Sequence, residues 1–72
     1  MNPAQSIDDA SWVEVVSTNV SRMRWFYGIV QVEFSSNGSV YQGECSEEQL
    51  EAAIRSGSVG SAVRAFGLRR IA

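Results

Sequence analysis

Arg22, Arg24, Trp25, Phe26 and Tyr27 form the most unusual run in this sequence, guanidinium groups interleaved with large rings. Rings with nearby cations can stack the bases of single-stranded nucleic acid while the charges follow its phosphates. The same residue types anchor protein interfaces. In a plainer account, Trp25 and one neighbour belong to the core and the Arg stems cover a sheet edge. Tyr41 adds a ring, and Arg64, Arg69 and Arg70 give the chain a small basic end. These nine residues are the candidate binding set. A handful of arginines is too few to hold duplex tightly, because phosphate neutralisation dominates that affinity.

The means for catalysis are sparse. The chain has no histidine, no lysine and no serine with an evident base partner. Cys45 precedes a helix start, which can depress a thiol pKa, but Glu44, Glu47 and Glu48 push the other way. A small buried residue is the simpler reading of Cys45. Glu44, Glu47, Glu48 and Glu51 could hold a cation, yet they also suit the positive end of a helix and a solvated face. The expectation is therefore a non-enzyme without metal or cofactor.

With 72 residues, the chain is one domain. A core this small supplies roughly 3–5 kcal/mol of net stability. One cysteine excludes an intrachain disulfide and the lack of histidine disfavours zinc, so partner binding or self-association gains weight. The hydrophobic content of 44% argues against disorder. A net charge of −2 makes nucleic acid a poor default partner. No stretch reads as a membrane span or signal peptide, and a lone thiol fits a reducing compartment, so a cytoplasmic location is expected.

The elements that position these residues follow from periodicity. Residues 1–10 show none and read as a flexible N-terminal arm, with residues 11–72 as the domain. An alternative is an ordered arm that buries Ile7 against a neighbour. Residues 12–17 read as a strand rich in β-branched and aromatic residues. Residues 20–25 read as a second, where a bulge near Ser21 or Arg22 would bring Val20, Met23 and Trp25 to one face. Gly28 marks a tight turn. Val30, Val32 and Phe34 then alternate with Gln31 and Glu33, and Asn37-Gly38 turns the chain into a fourth strand through Val40 and Tyr41. Ser46 and Gln49 form a capping box for a helix that buries Leu50, Ala53 and Ile54 and stops at Gly57. Ser58 caps a shorter helix ending at Gly67. Leu68 to Ala72 is a basic tail, with a last extended segment as the alternative.

The succession Val16-Ser17-Thr18-Asn19-Val20, the alternating residues 30–34, Gly38-Ser39-Val40-Tyr41 and the stretch 56–60 resembles the KTSC domain, a family named for the C-terminal extension of some lysyl-tRNA synthetases. It also occurs as small stand-alone bacterial and phage proteins. The resemblance covers residues 13–66. Of the family's Tyr-x-Tyr only Tyr41 is present, with Gly43 at the second place, and Ala62-Val63 stand where Phe-Asn is usual. The resemblance implies a bacterial or phage origin and a family whose function is largely unassigned. It carries a suggestion of RNA binding that the loss of the second aromatic weakens.

The expected fold is α+β: a four-stranded antiparallel meander sheet with two short helices packed on one face. The expected core is Val15, Val20, Trp25, Val30, Val32, Phe34, Leu50, Ile54, Val63 and Phe66. The leading functional expectation is a non-catalytic interaction module that binds a protein partner or forms a homo-oligomer. The alternative is a nucleic-acid or nucleotide binder using the Arg-aromatic run and Tyr41.

Overall fold

The alternation in Val30, Val32 and Phe34 against Gln31 and Glu33 gives the central strand two unlike faces, and the sheet is arranged around it. In the computed structural model, residues 6–72 are described. They form an α+β domain whose antiparallel sheet contains β1 (Val13–Glu14), β2 (Val20–Phe26), β3 (Ile29–Phe34), β4 (Val40–Glu44) and β5 (Arg69–Arg70), in that spatial order. The helices are α1 (Glu47–Arg55) and α2 (Val59–Ala62), the latter running into a 3-10 helix at Val63–Phe66. The sheet thus has five strands where four were expected. The additional strand comes from the basic tail: Gln42 pairs with Arg69 and Tyr41 with Arg70. Val40 then exchanges backbone hydrogen bonds with Ile71 and Ala72.

The inner face carries the core. Val20, Met23, Val30, Val32, Cys45, Ala53, Val59, Val63 and Phe66 form one buried cluster, with Val15, Trp25, Phe34, Leu50, Ala62 and Leu68 packed against it. Both helices contribute to it, so both lie on this one face. The register of β2 and β3 shifts between Val20 and Arg22, the expected bulge, and the extra residue keeps Val20 and Met23 both buried. The core differs from expectation at Ile54, which is 42% exposed. Ala53 and Leu50 fill the inward side of α1, and Ile54 falls beyond it.

Local chemistry explains the boundaries. The Ser46 hydroxyl accepts from the Gln49 backbone N–H at 3.1 Å, and the Gln49 side-chain oxygen accepts from the Ser46 N–H at 2.8 Å. This reciprocal box starts α1 as expected. The helix stops at Ser56, not at Gly57. The Ser56 hydroxyl and backbone N–H both donate to the Ala53 carbonyl, at 2.7 and 3.3 Å, in an extended backbone. That satisfies the last turn without a left-handed glycine. Ser58 makes no side-chain cap of α2, because its hydroxyl donates to Ser61 instead. Gly67, at φ +65°, does end the 3-10 helix.

Of the expected first strand, β1 retains Val13–Glu14, paired with Met23 and Arg22. The bulge in β2 stops this ladder, and Val13 and Val16 stay exposed. The expected arm lies partly outside the described residues. Its described part, residues 6–10, forms a 3-10 turn at Ile7–Asp9 that rests on β2 and β3 and buries Ile7. Gly43 belongs to the inner face, opposite Val30, directly beneath the end of the second 3-10 helix. A Cβ there would stand 2.5 Å from the Phe66 carbonyl oxygen and 2.9 Å from Leu68 Cδ2. Gly60 lies less tightly against the Asn19 side chain, which a Cβ there would meet at 3.1 Å, and this contact joins the 16–20 and 56–60 stretches.

Candidate interaction surface

Strand alternation separates the Arg-aromatic run. Arg22, Arg24 and Phe26 face outward with Glu33, Gln31 and Ile29, while Met23 and Trp25 face inward with Val32 and Val30. The outward arginines are already engaged. Arg22 bonds the Glu33 carboxylate at 2.9 Å. Arg24 Nε donates to Gln31 Oε1 at 2.7 Å, and its Nη1 donates to the carbonyls of Asp8 and Ala10 at 3.2 and 3.3 Å. The Asp8 carboxylate lies 3.6 Å away. The Trp12 ring covers both guanidinium groups, at 4.3 and 4.4 Å from centroid to Cζ. Gln31, buried on this face, passes the chain of hydrogen bonds to Gln42.

Sequence reasoning did not single out Trp12. The signal was its place one residue before β1: the Val13–Met23 pairing sets Trp12 beside Arg24. Without the register, that neighbourhood is invisible. Arg24 therefore fastens the N-terminal segment to the sheet, while Arg22, under the Trp12 ring and paired with Glu33, keeps 41% of its side chain exposed and a buried Nε without a hydrogen-bond partner.

The aromatic tip is different. β2 and β3 are joined by a two-residue turn, Tyr27 at φ 41° and Gly28 at φ 90°. Two positive φ values in a two-residue hairpin loop match the right-handed twist of the strands. Glycine adopts this freely, whereas a bulky residue there costs about 1–3 kcal/mol. Tyr27 is nevertheless 84% exposed. Its ring meets Phe26 edge-on, centroids 4.8 Å apart and planes at 82°, and lies 6.5 Å from Trp25. Trp25 is half-buried, and its indole N–H donates to the Cys45 carbonyl at 2.9 Å. That bond ties the end of β2 to the start of α1 and makes a firm base for the tip. A shallow depression bounded by Tyr27, Ile29, Glu44, Cys45 and Gln49 adjoins it.

The remaining expected residues lie elsewhere. Tyr41 is on the inner-face side of β4, edge-on to Phe34 at 5.2 Å and 84°, opposite Arg70 on β5. Arg64 projects from the second 3-10 helix. Arg69 faces outward beside Gln42. The candidate set is thus divided into an outer-face pair, Arg22 and Arg24, an aromatic hairpin tip, a Tyr41–Arg64–Arg70 group, and Arg69 by itself on the outer face of β5. No single stripe of arginines forms.

Cys45 is buried, and burial pushes its thiol pKa up, so the thiol stays protonated near neutral pH. Glu44, Glu47, Glu48 and Glu51 are exposed. Among the described residues, no group of three or more His, Cys, Asp or Glu is gathered to hold a metal ion. No helix among them is long and apolar enough to cross a membrane. No family model, curated protein or solved structure matches the chain.

Proposed function

We propose that the chain is a non-catalytic interaction module, a KTSC-like domain that binds a protein partner or a second copy of itself through the Phe26–Tyr27 hairpin tip. The observation that carries this reading is Tyr27, a large ring held 84% exposed at φ 41°. Within the fold the strained backbone at this exposed aromatic gains only the hairpin's twist and one edge-on ring contact with Phe26, and such strain gathers at contact sites. Exposed Tyr on a rigid base is also the residue type that dominates interface energetics. The pairing of Arg22 with Glu33, and of Arg24 with Gln31 and Asp8 under the Trp12 ring, favours a protein contact over nucleic acid, since each guanidinium already has a partner in the chain.

Sedimentation over a concentration series, followed by capture from bacterial lysate with and without nuclease, tests the proposal. Self-association or nuclease-resistant capture should weaken at least tenfold in Tyr27→Asn, the loss of roughly 1.4 kcal/mol or more expected of a hot spot. The folded state should hold, because Asn adopts positive φ readily and the relieved strain offsets the lost ring contact, each about 1 kcal/mol. A strictly monomeric protein that binds short single-stranded RNA, with affinity falling steeply as salt rises, would refute it.

A further inference from the structure

At the opposite end of β3 from Tyr27, a second site is formed. A cleft of about 380 Å³ lies between the β3–β4 turn and the second 3-10 helix, lined by Phe34, Ser36, Asn37, Tyr41, Arg64 and Leu68. Its size falls within the roughly 300–1,000 Å³ typical of small-ligand sites. We infer that this cleft binds a small anion carrying a planar ring, with the ring against Phe34, Tyr41 and Leu68 and the anionic group on Arg64.

The walls are fixed. Phe34 packs against the core cluster, and Tyr41 meets it edge-on at 5.2 Å, so two ring surfaces are held in a set relation before any ligand arrives. A planar ring entering beside them gains edge or offset contacts that a round apolar group does not. The polar side is donor-rich. The Asn37 Oδ1 accepts from the Ser39 N–H at 3.0 Å, which orients the carboxamide and leaves its NH₂ as a donor. Ser36 supplies a hydroxyl. Among the described residues, the Arg64 guanidinium has neither an ion pair nor a hydrogen-bond partner, in contrast to Arg22 and Arg24.

Charge sets the sign of the ligand. The chain holds eight acidic and six basic residues, yet no carboxylate lines the cleft. Arg70, opposite Tyr41 across β4 and β5, lies outside the lining and its Nε donates to the Ala72 oxygen at 3.4 Å, so Arg64 is the cation the cleft offers. A planar guanidinium matches carboxylate and phosphate geometry with two parallel hydrogen bonds. The ring-plus-anion chemistry is shared by mononucleotides and aromatic carboxylates, and the two sources separate in titration.

The experiment is amide-resolved NMR titration of the whole chain with adenosine monophosphate and with phenylacetate, using adenosine and inorganic phosphate as controls. At least one of the two anions should give saturable shifts centred on Asn37, Tyr41 and Arg64. Adenosine and phosphate alone should bind about tenfold more weakly or worse, since each supplies half of the recognition. Arg64 is exposed, so Arg64→Gln keeps the fold, which its own spectrum checks, and should weaken binding by about tenfold. Tyr41→Leu should weaken it too, while Tyr27→Asn should leave it unchanged. Failure of both anions to saturate, phosphate alone binding as well as adenosine monophosphate, or full affinity in Arg64→Gln would overturn the inference.

Discussion

Gly43→Ala sets two opposed effects against each other, and the geometry decides between them. An alanine restricts the unfolded chain, which by itself stabilises a compatible site by about 0.4–1 kcal/mol. Gly43 is not at positive φ, so the backbone itself would accept the change. The space would not. The added methyl would stand 2.5 Å from the Phe66 carbonyl oxygen and 2.9 Å from Leu68 Cδ2, and the Phe66 contact is with backbone rather than a flexible side-chain end. Ordinary contact requires the second 3-10 helix to retreat by about 1 Å, which opens the packing of Val63 and Phe66 over Val30. Overpacking of this kind costs typically 1–3 kcal/mol. The clash exceeds the entropic gain, and net destabilisation of about 1–2 kcal/mol is expected, a large share of the stability of so small a domain. Urea unfolding followed by tryptophan fluorescence measures it. A midpoint equal to or above the parent's would refute the close approach of the 3-10 helix to β4. The same crowding gives a physical reason for a glycine where the KTSC resemblance would place a second aromatic.

Further expectations concern the outer face, the helix start and the thiol. Arg24→Ala should cost about 2–4 kcal/mol, chiefly because the buried Gln31 oxygen loses its donor, with a smaller loss from Trp12 stacking. Limited proteolysis near Asp8 should quicken with it, and an unchanged melting temperature would argue against the clasp. Ser46→Ala should lower stability by about 0.5–2 kcal/mol by thermal unfolding, since it removes half of the capping box. Cys45 holds its proton more tightly when folded than when unfolded, so its contribution is complete below the free thiol's ordinary range and is lost as pH climbs from there through the raised value of the folded state. Cys45→Ala should flatten that part of the alkaline decline in stability, and an identical pH profile in the variant would contradict the buried placement.

Features set by neighbours in the chain were legible from sequence. The capping box needs Ser46 and Gln49 alone, and the alternation of β3 needs its own residues alone. The bulge at Ser21 followed from requiring Val20, Met23 and Trp25 to share a face. Features set by distant segments were not legible. The fifth strand depends on β4 presenting a free edge to Arg69 and Arg70. Ile54 is exposed because Ala53 and Leu50 complete the contact of α1 with the core. The Arg-aromatic run reads as one surface in sequence, yet strand alternation sends Trp25 inward and Arg24 outward, where Trp12 and Gln31 await it. The φ of Tyr27 was hidden as well. Gly28 signals a turn, but the sequence does not say that a tyrosine shares its strained half.

The placement of Cys45 gives the molecule a built-in clock. Its sulfur is shielded at the junction of β4 and α1, and its carbonyl is held by the Trp25 indole. An alkylating reagent at mildly alkaline pH must wait for that junction to part. Local openings range from near-zero free energy up to that of complete unfolding. Where reclosing outpaces the reagent, the labelling rate relative to an unfolded control reports the population of the open form. A rate matching the global unfolding constant would mean that the hairpin tip and helix start separate together with the whole sheet. A faster rate would mean that the tip breathes alone, and a macromolecule seated on Tyr27 would then slow the chemistry at a sulfur it never touches.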